Sequence, residues 1–407
     1  MIGMRLLSAY VSGHCNPEAA FSFCIKDDVK MDYVMANPPF NVDKVKSEAA
    51  MSAGRLPFGM PSINAAKEFG NANYLWISYF YAYLNEKGRA GFVMASSATD
   101  SSGKDRDIRE KLVQTGHVDV MMSVGNNFFY TKSLPCSLWF FDKGKPEALQ
   151  DKVLFIDARN YYTVVDRTLN EWSEWQLKNL NAIVWLYRGQ TKKYCTLLQE
   201  YQTAIKAAME HCAESAQELL RYLTGKPANM LTAAIEDLQK TEISVKNLNV
   251  VKEAFQSFRQ ASDNAEGDML RIYESIPADS RKTAVKEMGF PTYKALEKKL
   301  EILAALTAQE VEKSVVIVDE VQWLYEKFGE GEYRDIPGLC KVASRTEIAE
   351  KNYSLTPGAY VGVAAVEDDG VDFAQRMAEI HAELLSLQAE SNALMDTISK
   401  NMKEMGL

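Results

Sequence analysis

The first 165 residues alternate between short apolar runs and stretches with helical spacing. Two stretches, 73–84 and 106–115, repeat apolar side chains every three or four positions, and each is followed by a Gly, which predicts two helices. Apolar runs of strand length surround them at 33–36, 90–94, 118–124, 138–141 and 153–156. This alternation predicts a mainly parallel sheet, whose last two strands are compatible with an antiparallel arrangement.

The predicted sheet has about half of the strands of a complete doubly wound domain. Residues 1–30 contain too little strand pattern to supply the others. In sheets of this kind the ligand crevice lies beyond the carboxyl ends of the strands. The segment 37–40 directly follows the first predicted strand, so we expect it at that crevice.

The pattern changes after the sheet region. Residues 181–309 are rich in Ala, Glu, Lys, Leu and Gln and contain few prolines, which predicts several long helices. Residues 315–318 suggest a short strand, 353–363 an extended segment, and 372–402 a final helix. We therefore divide the chain into a partial α/β domain at 1–165, a helical region at 166–337, and a closing extended segment with its final helix at 338–407.

The final helix carries an apolar seam at alternating steps of four and three. Such a seam is typical of a coiled coil and suits a helix that binds a partner or forms an intramolecular helical hairpin, and it equally suits an amphipathic helix packed on its own domain. The seam residues are Phe373, Met377, Ile380, Leu384, Leu387, Leu394 and Ile398, with Ser391 as the one interruption.

Composition and charge narrow the class of protein. Of the 407 residues, 47% are hydrophobic and 25% are charged, which is typical of a folded chain with a sizeable core. The net charge is −9, and the acidic excess lies almost entirely after residue 160. A protein that binds DNA alone usually has a basic excess, so a nucleic-acid role would require a local patch or a partner.

The sequence disfavours a membrane-spanning segment and a metal site, and it favours the cytoplasm as the location. No apolar stretch approaches the ~20 residues that a membrane-spanning helix needs, so we expect no membrane segment. The six cysteines show no CxxC spacing and no signal segment opens the chain, which favours the cytoplasm. His14-Cys15 and His211-Cys212 are candidate metal ligands, but with four histidines in all and no second pair at ligand spacing to either, we expect no metal site.

The strongest local signal is the segment Asn37-Pro38-Pro39-Phe40. The Asn37 carboxamide and the Pro38 carbonyl are both acceptors, and together they can accept the two hydrogens of an exocyclic amine. Phe40 can stack on the ring that bears that amine. Orientation and charge stabilisation then activate the nitrogen, so no strongly basic side chain is required. A plain Asn-Pro-Pro turn is the alternative reading of the tetrapeptide alone.

The resemblance to a known family extends well beyond this segment. The chain resembles the methylation subunit of type I restriction-modification systems, an adenine-N6 DNA methyltransferase. The resemblance is carried by Asn37-Pro38-Pro39-Phe40-Asn41, Asn73-Tyr74, Trp76, residues 88–93, 101–103, Ile108-Arg109, Leu112, 128–130, Pro135, 138–140, 153–159, 341–343, Glu347-Ile348, 352–358 and 360–362.

The resemblance implies a donor, a substrate and partners. It implies S-adenosylmethionine as methyl donor and a flipped adenine in DNA as acceptor, with Asn37, Pro38, Pro39 and Phe40 as the catalytic motif. Asn37 and Pro38 would hold the amino group, and Phe40 would stack on the base. It also implies a complex with a specificity subunit, a restriction subunit and a second methylation subunit, assembled partly through helices.

The chain departs from the family pattern at its amino end. The family's glycine-rich donor loop would precede the Asn-Pro-Pro-Phe segment, but Gly3 and Gly13 are isolated. Asp27 or, preferably, Asp28 is a loose match to the acidic residue that the family places near the donor adenine. We therefore expect the carboxyl-terminal part of a methylation subunit with an incomplete donor pocket.

Two other functions remain open on the sequence. One is a catalytically inactive, truncated subunit that acts as a helical interaction module with a specificity subunit. The other is a protein glutamine methyltransferase, which applies the same Asn-Pro-Pro chemistry to an amide. Those enzymes typically carry Tyr after the prolines, so Phe40 and the long helical region disfavour this second alternative.

Overall fold

A computed structural model describes residues 6–10, 30–52, 54–129, 133–363 and 373–404 of the chain. It divides into two compact units, residues 1–362 and 363–407. The domain boundaries expected at 165 and 337 stay predictions. No helix in the described residues combines the length and the apolar character needed to cross a bilayer.

The first unit is built on a sheet of seven strands. In chain order the strands are β1 Leu6–Tyr10, β2 Met31–Asn37, β3 Val45–Lys46, β4 Glu68–Phe69, β5 Leu84–Ala95, β6 Val118–Val124, β7 Cys136–Asp142, β8 Lys152–Asp157, β9 Thr163–Val164, β10 Asn170–Glu171 and β11 Cys340–Ser344. The sheet order is β1-β2-β5-β7-β6-β8-β11, and β3–β4 and β9–β10 form two small separate ribbons.

The helices surround and extend this sheet. They are α1 Ser47–Ser52, α2 Asn73–Tyr83, α3 Lys104–Gln114, α4 Glu147–Gln150, α5 Glu174–Tyr187, α6 Thr191–Leu220, α7 Gly225–Lys240, α8 Leu248–Ser275, α9 Ala278–Glu287, α10 Tyr293–Phe328, α11 Arg345–Glu350, α12 Gly358–Val361 and α13 Phe373–Glu404. A short 3₁₀ helix, Ser96–Thr99, follows β5.

The predicted α/β class is confirmed, and the sheet is larger than expected. The pairs β1–β2, β2–β5 and β6–β8 are parallel, whereas β7 and β11 run antiparallel to their neighbours. Of the last two strands predicted, β7 is therefore antiparallel and β8 is parallel to β6. From the sequence, residues 1–30 hold too little strand pattern to supply the missing strands, and the structure shows one additional strand there, Leu6–Tyr10, which pairs with β2. At the opposite edge of the sheet, the last strand is β11, which comes from a distant part of the sequence.

Two apolar layers hold the sheet. Successive strand residues face opposite sides, so Val34, Phe92 and Phe155 pack in the layer that contains α2 and α3. On the other side, Leu154 and Ile156 pack in a layer that continues without a break into the core of α5–α8 and α10. The helical region therefore packs on one face of the sheet. A capping box between Ser173 and Gln176 fixes the start of α5 at that junction.

Two local predictions in the second half are wrong. Residues 315–318 lie inside α10, because Val311, Val318 and Val321 are buried at helical spacing, which outweighs the strand propensity of a β-branched run. Residues 353–363 are not extended either. Asn352 and Tyr353 have φ of 53° and 56°, and α12 follows.

The second unit contains the predicted final helix, α13. Its seam residues are exposed wherever their side chains are described: Met377, Ile380, Leu384, Leu387, Leu394 and Ile398. The coiled-coil pattern is thus presented on an uncovered face of the helix.

Candidate active site at the carboxyl edge of the sheet

The Asn-Pro-Pro-Phe segment lies at the carboxyl edge of the sheet, as predicted. Asn37 is the last residue of β2, and its backbone is in register with Tyr10 of β1. Asn37 is exposed, Pro38 is buried, and Pro39 and Phe40 are half-buried. Proline lacks a backbone N–H and cannot continue the ladder, so the strand ends here. The carboxamide of Asn37 is consequently presented beyond the sheet edge.

A cluster of three asparagines fixes the chain directly after this segment. Asn41 has φ of 54°, a left-handed conformation that asparagine tolerates better than most residues. Its Oδ1 accepts hydrogen bonds from Nδ2 of Asn71 (3.0 Å) and Nδ2 of Asn73 (2.9 Å). Its backbone N–H donates to Oδ1 of Asn73 at 3.0 Å. The loop after Phe40 is thereby held against the first turn of α2.

An aromatic pair closes the other side of the segment. The rings of Phe40 and Phe129 meet edge to face, with centroids 6.1 Å apart and planes at 78°. Phe129 belongs to the loop after β6, whose carboxyl end lies at the same edge of the sheet as that of β2. The sequence predicted the stacking residue Phe40 but gave Phe129 no role. Only its place after a parallel strand could have indicated it.

Close packing positions the loop that carries Phe129. A Cβ at Gly125 would lie 2.6 Å from the carbonyl oxygen of Arg159, so only glycine fits between the two loops. Phe128 packs on Trp172 with ring centroids 4.8 Å apart. The Nε1 of Trp172 donates to the carbonyl oxygen of Tyr161 at 2.7 Å. These contacts tie the loop after β6 to the segment after β8.

Residues 352–361, here called the closing segment, support the edge from a distant part of the sequence. The backbone N–H of Leu355 donates to the carbonyl oxygen of Thr99 at 2.8 Å. The hydroxyls of Thr99 and Thr356 are 2.6 Å apart. Tyr360 stacks on Phe155 of β8 with centroids 3.9 Å apart. The closing segment therefore braces the 3₁₀ helix that follows β5.

The buried guanidinium of Arg109 joins three of these elements. Arg109 on α3 is 1% exposed. Its Nε donates to the carbonyl oxygen of Tyr353, and its Nη1 donates to Tyr74 Oη and to the Ser101 carbonyl oxygen, both at 2.9 Å. Burial raises the pKa of Tyr74 above its ordinary value, so the phenol stays neutral. Arg109 thus holds α2, α3 and the closing segment together beneath the edge.

A carboxyl group with a raised pKa lies one helical turn from Arg109. Burial raises the pKa of Asp105 to about 6, although the nearby guanidinium of Arg109 acts in the opposite direction. A folded-state pKa above the unfolded value means that the folded chain binds more protons between about pH 4 and pH 6. The stability contribution of Asp105 therefore falls as the pH rises through that window.

We expect Asp105→Asn to raise the thermal unfolding midpoint at pH 7, because the neutral amide removes the cost of a partly buried charge. Near pH 4 the wild-type carboxyl is largely protonated, so the difference between the two proteins should shrink. Thermal unfolding at both pH values measures this. The exposed Asp107 in the same turn supplies the control Asp107→Asn, for which no stabilisation at pH 7 is expected. A variant Asp105→Asn less stable than wild type at pH 7 would contradict the assignment.

The remaining candidate residues are those for binding the methyl donor and those for binding a metal ion. Asp27 and Asp28, the candidates for the donor adenine, lie outside the described residues, as do Gly3 and Gly13. Across the residues that the structure describes, no three His, Cys, Asp or Glu side chains form a group that could hold a metal ion.

The chain matches one family of known proteins. The sequence model of the family described as N-6 DNA methylase matches residues 14–214. The chain is 36% identical over 158 residues to the methylase subunit of the type I restriction enzyme MjaIX of Methanocaldococcus jannaschii, which covers 38% of this chain and 27% of that protein. It is 29% identical over 147 residues to the methylase subunit of the type I restriction enzyme HindI of Haemophilus influenzae, covering 36% and 31%.

The match to a solved structure is more distant. The methyltransferase subunit of a type I restriction-modification system from Streptococcus thermophilus is 19% identical and covers 40% of this chain and 33% of that one, with a TM-score of 0.35. The matched regions span about a quarter to a third of the length of the curated relatives. The family match includes the whole of β2, the Asn-Pro-Pro-Phe segment and the loop of Phe129. Residues 14–214, just under half of the chain, match the N-6 DNA methylase family.

Proposed function

We propose that this chain is the methylation subunit, or part of the methylation subunit, of a type I restriction-modification system. It would transfer a methyl group from S-adenosylmethionine to N6 of adenine in DNA. The observation that carries the proposal is the placement of Asn37 to Phe40 beyond the sheet edge, opposite Phe129. The similarity to type I methylase subunits supports the same conclusion.

The proposed roles follow from the chemistry of an aromatic amine. Asn37 Oδ1 and the Pro38 carbonyl oxygen would accept the two amino hydrogens of an extruded adenine. Both acceptors turn the nitrogen lone pair outward and stabilise the positive charge that develops on nitrogen during its attack. Phe40 and Phe129 would contact the base and hold its plane. The amino nitrogen later loses its extra proton to solvent, so no basic side chain is needed.

The donor, when bound, supplies an electrophilic methyl group. The residues that follow β1, from position 11 to position 29 and including Asp28, lie outside the described residues. Asp28 as a donor contact therefore stays a prediction, and no further step is assigned to that part of the site. The proposal rests on the part of the site that would bind the base to be methylated, where Asn37, Pro38 and Phe40 come together.

Partner binding is the second component of the proposal. Seam residues of α13 remain exposed, for example Leu384 at 58% and Leu387 at 54%. An isolated amphipathic helix gains most of its stability from packing of its apolar face. We infer that this seam packs on helices of a specificity subunit or of a second methylation subunit, in a complex that also includes a restriction subunit and DNA. Such a complex would be cytoplasmic.

We expect Leu384→Asp to weaken association with a specificity subunit roughly thirtyfold, because one buried leucine contributes about 2 kcal/mol. The matched control is Leu385→Asp, since Leu385 is 54% exposed and lies one position off the seam. Analytical ultracentrifugation of mixtures of the two subunits measures the affinity. Equal affinities for the two variants would exclude the seam as the contact surface.

A second candidate function is a helical interaction module without catalysis. The same exposed seam on α13 favours it. The two candidates differ in methyl transfer: the enzyme needs Asn37, whereas the interaction module does not. Transfer of a labelled methyl group to DNA by the chain together with a specificity subunit, compared with its Asn37→Ala variant, tests the proposed function. Partner binding without transfer would support the interaction module.

A further inference from the structure

A small hairpin projects from the same edge of the sheet as the candidate active site. It consists of β9 and β10 with residues 165–169 between them. The backbone N–H of Val165 donates to the carbonyl oxygen of Leu169 at 3.0 Å. The carboxylate of Asp166 accepts hydrogen bonds from the backbone N–H (2.6 Å) and the hydroxyl (2.8 Å) of Thr168. The turn therefore has a defined shape and engages the carboxylate of Asp166, whereas the hairpin's other carboxylate, the exposed Glu171, lies at its base in β10.

The base of the hairpin is bonded to the loop that carries Phe129. The backbone N–H of Asn170 donates to the carbonyl oxygen of Asn127 at 2.7 Å. Its side-chain Nδ2 donates to the carbonyl oxygen of Asn126 at 3.0 Å. Phe129 in turn meets Phe40. The hairpin thus has a fixed position relative to the aromatic pair.

The exposed part of the hairpin combines aliphatic side chains with a cation. Val164 is 63% exposed and Val165 is 49% exposed. Arg167 is exposed as well. Neither the packing of the first unit nor the proposed chemistry uses these three side chains. Arginine binds phosphate oxygens, and proteins that unstack bases commonly insert small apolar wedges between base steps.

We propose that this hairpin contacts duplex DNA next to the target adenine, with Arg167 on a backbone phosphate and one side chain of the Val164–Val165 pair filling the stack that the extruded base leaves. The inference rests on the proposed function and adds a contact outside the acceptor pocket. Extruding a base costs unpairing and unstacking free energy. An apolar side chain in the vacated space would offset part of that cost.

The test is binding of the 407-residue chain, together with a specificity subunit, to two fluorescent duplexes, one intact and one with a single abasic site in place of the target adenine. Fluorescence anisotropy over a range of salt concentrations gives affinity and salt slope. Wild type should prefer the abasic duplex, because no base has to be extruded there. Val164→Ser/Val165→Ser should lose that preference. Arg167→Ala should keep it, bind both duplexes about two- to fivefold more weakly, and reduce the salt slope by about 0.9.

Matched controls come from the helical region. Arg221→Ala removes another exposed arginine, and Val316→Ser changes a valine on α10 that is 49% exposed. Both should bind like wild type. If the hairpin variants also bind like wild type while wild type prefers the abasic duplex, the hairpin inference is overturned and the proposed function stands. If wild type binds neither duplex, the result counts against both.

Discussion

Replacing Asn37 with alanine is expected to lower the rate of methyl transfer to DNA about 100- to 1000-fold, the usual effect of removing one pre-positioned hydrogen-bonding group from an active site. The alanine methyl group cannot accept an amino hydrogen, and the nitrogen lone pair loses its orientation. Since Asn37 is exposed and is the last residue of β2, the fold should be unaffected. A filter-binding assay with tritiated S-adenosylmethionine measures the rate.

Two further variants sharpen this result. Asn37→Asp keeps acceptor oxygens at the same place, so it should retain more activity than Asn37→Ala. Asn229→Ala changes an exposed asparagine on α7 and should leave the rate unchanged. If Asn37→Ala transferred methyl groups at a rate within about threefold of wild type, Asn37 would not orient the amine, because loss of such a group should lower the rate far more.

The second large effect is expected on stability. Arg109→Ala should lower the free energy of unfolding by about 3–5 kcal/mol, because it leaves a cavity and takes the donor from two buried acceptors and one part-buried acceptor. Those acceptors are the carbonyl oxygens of Tyr353 and Ser101 and the hydroxyl oxygen of Tyr74. Urea denaturation followed by circular dichroism measures the loss.

Controls separate the buried network from general effects of losing an arginine. Arg271→Ala removes a side chain that is 77% exposed and paired with Asp268, so the loss should stay below about 1 kcal/mol. Arg109→Lys keeps the charge but lacks the forked head that reaches three acceptors, so an intermediate loss is expected. If Arg109→Ala destabilised the chain no more than Arg271→Ala, the closing segment would not depend on this guanidinium.

Local patterns were sufficient to predict much of the fold and one side of the site. Before residue 160 the apolar residues recur with the period of the strand or helix that they form. The predicted strand 118–124 and the predicted helices near residues 73 and 106 are therefore confirmed. The place of Asn37 follows from one strand ending at two prolines. Each of these features is determined by neighbours in sequence.

The remaining features depend on contacts between distant residues. β11 pairs with β8 across about 190 residues of sequence, and nothing within residues 340–344 specifies that partner. The same holds for Phe129, whose role depends on the strand order that places β6 beside β7 and near β2. The sequence pattern alone indicates an ordinary helical arginine at Arg109. Its buried role depends on the carbonyl oxygen of Tyr353, which is 244 residues away in the sequence. Tertiary contacts, rather than local propensity, complete the site.

The most direct test of the central claim is the chemical identity of the methylated base. DNA is incubated with the chain, a specificity subunit and S-adenosylmethionine that carries a deuterated methyl group, and is then digested to nucleosides for mass spectrometry. The account predicts deuterated N6-methyldeoxyadenosine with wild type and almost none with Asn37→Ala. Label on cytosine, or equal labelling of adenine by both proteins, would contradict it.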